Sequence, residues 1–147
     1  MIKLMKTLLV VFYTSSVLFV SSSVEANDGL HLEFHMGVVV DGKPFIGGTL
    51  KNKGQVEIYK GFIVLTPIDN LCYPQKSIIW DFSKIPPGVS LEFKIPVDGG
   101  LHGYKLNTIY AMDNMGNKMD VVDETAEIIA KKQAVFVDKC QSSRAAR

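Results

Sequence analysis

The chain has 147 residues, 47% of them hydrophobic, with 16 basic side chains against 15 acidic ones. That length is one domain, large enough to bury a core without a structural metal, since chains become marginal only below ~60 residues. A net charge of +1 argues against the clustered basic face that nucleic acid binding requires.

Residues 1 to 26 read as a secretory signal peptide. Lys3 and Lys6 form a positive start, and an apolar run from Leu8 to Val20 follows, broken once by Thr14-Ser15-Ser16. The run is too short to span a bilayer, which takes ~20 residues. Val24 and Ala26 supply the small-x-small cleavage pattern. Taking 26 residues from 147 leaves a mature chain of 121, Asn27 to Arg147, and setting aside Lys3, Lys6 and Glu25 leaves 14 basic and 14 acidic residues. No cysteine stands at the cleavage site and nothing after residue 26 is apolar for long enough to cross a membrane, so no lipid or other membrane anchor is expected. The expected location is the periplasm or the cell exterior.

Alternation with period two dominates the rest. Leu30, Leu32, Phe34, Met36 and Val38 share one face of an extended segment, with His31, Glu33 and His35 on the other. Asp41-Gly42 is a type I′ hairpin pair. Phe45 to Leu50 is the partner strand, where Gly47 and Gly48 signal a bulge or a close backbone approach. After the Asn52-Lys53-Gly54 turn, Val56 to Thr66 contains Phe62-Ile63-Val64-Leu65, a run suited to a central strand buried on both faces.

Pro67, Asp69-Asn70 and Pro74 break the middle of the chain. Ile78, Trp80 and Phe82 then alternate with polar neighbours, and Trp80, Phe82 and Phe93 are expected in the core. Beyond Pro86-Pro87-Gly88, Val89, Leu91, Phe93, Ile95 and Val97 alternate with Ser90, Glu92 and Lys94. Pro96 belongs at that strand's end or on a sheet edge. Asp98-Gly99-Gly100 turns the chain into a strand from Tyr104 to Met112, and Tyr104 occupies the place of a tyrosine corner. Residues 120 to 133 fit either a short helix, with Asp123 as its cap and Glu127 paired to Lys131, or a strand through Ala126, Ile128 and Ala130. The reading adopted is a short helix before a last strand, Ala134 to Lys139, and then a disordered polar tail over residues 141 to 147.

Two cysteines, Cys72 and Cys140, are an even count in an exported chain and read as a disulfide closing about 69 residues. Chain entropy alone would make it worth roughly 4 kcal/mol. Neither cysteine lies in a Cys-x-x-Cys pair, so a thiol oxidoreductase is not supported.

Short strands with turn signals every eight to twelve residues predict an all-β, antiparallel sandwich of about seven strands over residues 27 to 140. Three stretches resemble bacterial exported immunoglobulin-like domains. They are Thr49 to Gly54, Ile85-Pro86-Pro87-Gly88-Val89-Ser90-Leu91-Glu92-Phe93, and Tyr104 through Asp113-Asn114-Met115-Gly116-Asn117. The placement of Leu71-Cys72 and Asp138-Lys139-Cys140 is similar to small exported families of this kind. The resemblance implies an immunoglobulin-like fold and no particular activity.

Few residue groups suggest chemistry. His31, Glu33 and His35 lie on one strand face, but on a regular strand the two histidines stand ~13 Å apart, too far to share one ion directly. The reading adopted for them is a solvated strand face beside a buried one. Met112, Met115 and Met119 offer thioethers suited to Cu(I), and a Met-rich loop near a histidine resembles periplasmic copper-carrier sandwiches. The chain departs from those carriers in having no histidine at the mature start and no dense Met-Pro-x-Met run. Methionines that pack a loop give the same pattern. Asp113, Asp120, Asp123 and Glu124 could bind Ca²⁺ but lack the spacing of a dedicated loop. His102 stands alone in a glycine-rich turn. No nucleophile motif or metalloprotease motif occurs. The sequence therefore predicts a non-enzymatic binding or accessory module, with no cofactor, that contacts a protein partner in the cell envelope. The rival is a copper carrier using His31, His35, Met112, Met115 and Met119. A hydrolase or isomerase with an unfamiliar site ranks third.

Overall fold

A computed structural model describes residues 29 to 146. The expected signal peptide and its cleavage site lie outside the described residues. In chain order the elements are β1 (Leu30–Val40), β2 (Lys43–Asn52), β3 (Ile58–Ile68), β4 (Ile78–Ile85), β5 (Ser90–Pro96), β6 (Gly103–Met112), β7 (Val121–Asp123) and α1 (Ala126–Ala145). One sheet has the order β5-β2-β1-β7 and the other β4-β3-β6. Every pairing is antiparallel except the short parallel one between β1 and β7.

The two sheets share one core. Leu30, Leu32, Ile46, Leu50 and Ile95 from the first sheet meet Ile58, Ile63, Leu65, Ile85 and Ala111 from the second. Full burial of a large aliphatic side chain is worth ~1.5–3 kcal/mol, so this layer dominates the fold's stability. The aromatic residues close one end of it. Trp80 stands 6.0 Å from Phe82 and 5.6 Å from Phe93, ring centre to ring centre.

Local chemistry explains the turns. Asp41 and Gly42 both have positive φ, 50° and 74°, the backbone that a type I′ hairpin demands. Gly48 marks a close approach rather than a bulge, because a Cβ there would collide with the Phe34 carbonyl and the Phe93 ring. Pro96 ends β5, which is an edge strand, so its missing N–H costs no ladder bond. Asn52 is fully buried and fully bonded. Its Nδ2 donates to the Val56 and Ile85 carbonyls, both at 2.8 Å, and its Oδ1 accepts from the Gly54 amide at 3.0 Å.

Several expectations need correction. β1 does not keep one apolar face. A register shift between Leu32 and Phe34 reverses its phase, so Phe34 and Met36 are exposed and His35 is buried. β3 is central in its sheet, yet Phe62 and Val64 are only half-buried, because no third layer covers that face. The end of the chain differs most. A three-residue strand, β7, precedes a 20-residue helix, and the helix occupies the ground of both the expected last strand (Ala134 to Lys139) and most of the expected disordered tail (141 to 147). Asp123 does not cap that helix through its own position. It accepts the Thr125 amide and hydroxyl at 2.8 and 2.6 Å, a turn that leads from β7 into α1.

The disulfide is present: Cys72 and Cys140 are bonded, with Cα atoms 5.6 Å apart and a sequence separation of 68. It ties α1 to the loop between β3 and β4. Cys140 is the one buried residue of the helix, so most of α1 faces solvent. No helix among the described residues is long and apolar enough to cross a membrane.

Candidate functional site: the cleft between β1, β6 and α1

β7 pairs with β1 only at Leu30, His31 and Leu32. Beyond Leu32, β1 runs on to Val40 with β2 on one side and, among the described residues, no strand on the other. There it passes the start of β6. Gly37 permits this, since a Cβ on it would stand 3.1 Å from Leu101 and 3.3 Å from Tyr104. α1 stands across the gap, and a cleft of about 360 Å³ remains between the three elements. Met36, Leu106, Ile129 and Phe136 give it apolar walls, and His35, Tyr104, His102, Lys132 and Gln133 bring polar groups to it.

His35 is the unusual residue. It is 6% exposed, and its Nδ1 shares a 2.5 Å hydrogen bond with the Tyr104 hydroxyl. Its Nε2 is buried and has no partner among the described residues. Burial holds the imidazole below its ordinary value of 6.5, against the weaker pull of Asp123. Burial, with Asp123 adding to it, pushes the Tyr104 phenol up to about 12. Both groups are therefore neutral at physiological pH. If the phenol donates to Nδ1, the ring carries its own proton on Nε2, and that donor lacks an acceptor. A buried unpaired donor costs about 1–3 kcal/mol, which a guest carbonyl or a water would recover. Tyr104 thus departs from a tyrosine corner, since its hydroxyl goes to a side chain on the other sheet.

His31 has a different role. It is 5% exposed and its Nδ1 lies 2.7 Å from Glu124 Oε1. Lys53 Nζ reaches the same carboxylate at 2.5 Å and Glu33 at 3.4 Å. Lys53 and then His31 hold the Glu124 carboxyl below the usual carboxylate range, and Glu124 in turn raises Lys53. This network pins β1, the end of β2 and the β7–α1 turn together. The histidine face is not solvated, as both histidines are buried.

The proposed copper ligands do not converge as one set. His35 sits at the Tyr104 end of β6, whereas Met112 is the last residue of the same ten-residue strand, ~27 Å further along at β-strand rise. Met115 is 80% exposed at the tip of the following turn. Met119 packs against the core, its amide bonded to the Ala111 carbonyl. The carboxylates likewise have local duties. Asp113 accepts from the Met115 and Asn117 amides at 2.9 and 2.8 Å and from Asn117 Nδ2 at 2.9 Å, which lowers its pKa. The Asp120 carbonyl accepts the Leu30 amide.

A residue group missed from sequence is Cys72, His102 and Cys140. Among the described residues it is the one set of His, Cys or carboxylate ligands whose atoms all lie within 4.8 Å of one another. His102 also packs on Phe136 of α1, ring centres 5.2 Å apart. No spacing rule could have found it, because His102 comes from a turn 30 residues after Cys72. A second depression, about 450 Å³ between β3 and β4, is lined by Lys60, Phe62, Asp81 and Met112 and has no unpartnered buried polar atom.

No protein-family model, no curated protein and no solved structure matches the chain.

Proposed function

We propose that the chain is an exported, immunoglobulin-like binding module that takes an extended segment of a partner protein along the free edge of β1, beside α1. The observation that carries this reading is the character of that edge. Phe34 to Val40 contains no Asp, Glu, Lys or Arg. Phe34, Met36, Val39 and Val40 are exposed along it. An open edge presents unpaired backbone groups, and proteins usually guard such edges with charge, proline or a bulge; the register shift of β1 precedes Phe34, so Phe34 to Val40 has neither charge nor proline nor a bulge of its own. The other edge strands here follow that rule. β5 carries Glu92, Lys94 and Pro96, β4 carries Asp81 and Lys84, β6 carries Lys105, and the three-residue β7 ends in Asp123. Strand addition would satisfy the backbone of β1, while the cleft walls would select the guest's apolar side chains. Export would place the module where its disulfide is stable.

The test is site-specific photo-crosslinking in the host cell, with the crosslinker at Met36 or Val39 and, as controls, at Ser83 on β4 or Ser90 on β5. Adducts of one discrete mass are expected at the first two positions and not at the controls. Adducts at all four positions alike, or at the controls alone, would reject the reading.

A further inference from the structure

We infer that the disulfide corner is also a latent metal site: once reduced, Cys72 and Cys140 join His102 as ligands for one Zn²⁺ ion. The ligand types are those of zinc, two thiolates and an imidazole, with a fourth position left to water. One ligand atom from each residue already lies within 4.8 Å of the other two. A tetrahedral ion bound to sulfur at ~2.3 Å and nitrogen at ~2.0–2.1 Å needs its ligand atoms a little under 4 Å apart. Opening the bond therefore requires the sulfurs to part by less than the width of a methyl group.

Two of the three ligands are held without help from the disulfide. Asp69 accepts the Leu71 and Tyr73 amides on its carboxylate, at 2.9 and 2.8 Å, and the Cys72 amide on its carbonyl, at 2.9 Å. The His102 amide donates to the Ile68 carbonyl at 2.8 Å, which fixes the histidine to the end of β3. The third ligand arrives on α1, and that helix has two further anchors. Phe136 packs on His102, and the Arg144 guanidinium donates to the Cys72 carbonyl while lying 4.5 Å above the Tyr73 ring. Cys140 thus stays near its partner when the bond opens. His102 is exposed, so the ion has a route in.

The chemistry balances. A dithiol reductant gives two electrons and two protons to the disulfide and becomes a disulfide itself. The two thiols then release two protons as Zn²⁺ binds, with neutral His102 as the third ligand. Covalent bond and metal are alternative staples for α1, one for oxidising and one for reducing conditions.

The experiment uses the full chain and Co²⁺ as a spectroscopic stand-in, followed by Zn²⁺ competition. The reduced chain is expected to bind one Co²⁺ with thiolate charge-transfer absorption and the visible bands of a tetrahedral site, and Zn²⁺ should abolish both. The oxidised chain should show neither. His102→Ala should weaken Zn²⁺ binding by more than the ten- to hundredfold that loss of an outer-shell partner costs. Its oxidised form serves as the folding control. If reduction loosens the fold, Zn²⁺ should restore the circular dichroism of the oxidised chain. No thiolate band in the reduced chain, an affinity unchanged by His102→Ala, or a loosened fold that Zn²⁺ does not restore would each overturn the proposal.

Discussion

At the residue scale, His35 and Tyr104 are a buried neutral pair, and the pair sets the pH response of the site. The folded imidazole has a pKa below its ordinary 6.5, so protonation favours the unfolded chain. The stability it confers is complete above 6.5 and is lost as pH falls below that value toward the folded pKa. Glu124 and Asp113, both depressed, add losses of the same sign only below their ordinary 4.5 and 3.8. Denaturant titrations should therefore show a first decline just below pH 6.5, and His35→Gln should remove it while leaving the later carboxylate losses. Tyr104 acts at the other end: with its folded pKa near 12 against an ordinary 10.0, its contribution fades as pH rises from 10 to 12. Asn52 offers a separate check. Asn52→Ala leaves two carbonyls and one amide without their partner and should cost roughly 3 kcal/mol in urea unfolding.

At the element scale, what could be read in the sequence depended on whether a period survived. β5 was legible because Leu91, Phe93 and Ile95 keep strict alternation through a regular ladder. The first hairpin was legible because Asp41-Gly42 has few other uses. β1 was misread beyond Leu32. A one-residue slip leaves the composition unchanged while it sends later side chains to the opposite face, so His35 lies inside and Phe34 outside, against the period of Leu30 and Leu32. The start of α1 agrees with the expected short helix, whereas its continuation over the expected strand Ala134 to Lys139 has another reason. Mostly exposed, it turns inward only Ile129, Gln133, Phe136 and Cys140, and Val135 and Val137 mimic a strand beyond the Glu127–Lys131 pair that marks the helix start. The same thin packing makes α1 testable as a unit. A Cβ at Gly103 would press to 2.7 Å from the Phe136 ring, so Gly103→Ala should speed hydrogen exchange across residues 126 to 145 and leave β2 and β3 unchanged.

At the scale of the whole molecule, the two sheets supply the stability and the disulfide, with Phe136 and Arg144, keeps the helix on them. Replacing both cysteines by alanine should cost about 4 kcal/mol in urea unfolding, as expected for a closed loop of this size. The cysteine pair was plain in the sequence; the cleft was not, since it depends on a short β7, a slipped β1 and a helix of unexpected length.

The central claim is that the uncharged edge of β1 binds a guest strand, and a pair of proline variants tests it most directly. Val38 and Val39 are consecutive in β1, so one N–H points to β2 and the other to the free edge. Of Val38→Pro and Val39→Pro, one should lose stability by breaking the β1–β2 ladder. The other should keep the parent's unfolding midpoint and still lose the crosslinked adduct formed from Met36. Full adduct formation by that stable variant would show that the backbone of this edge is not what the partner reads.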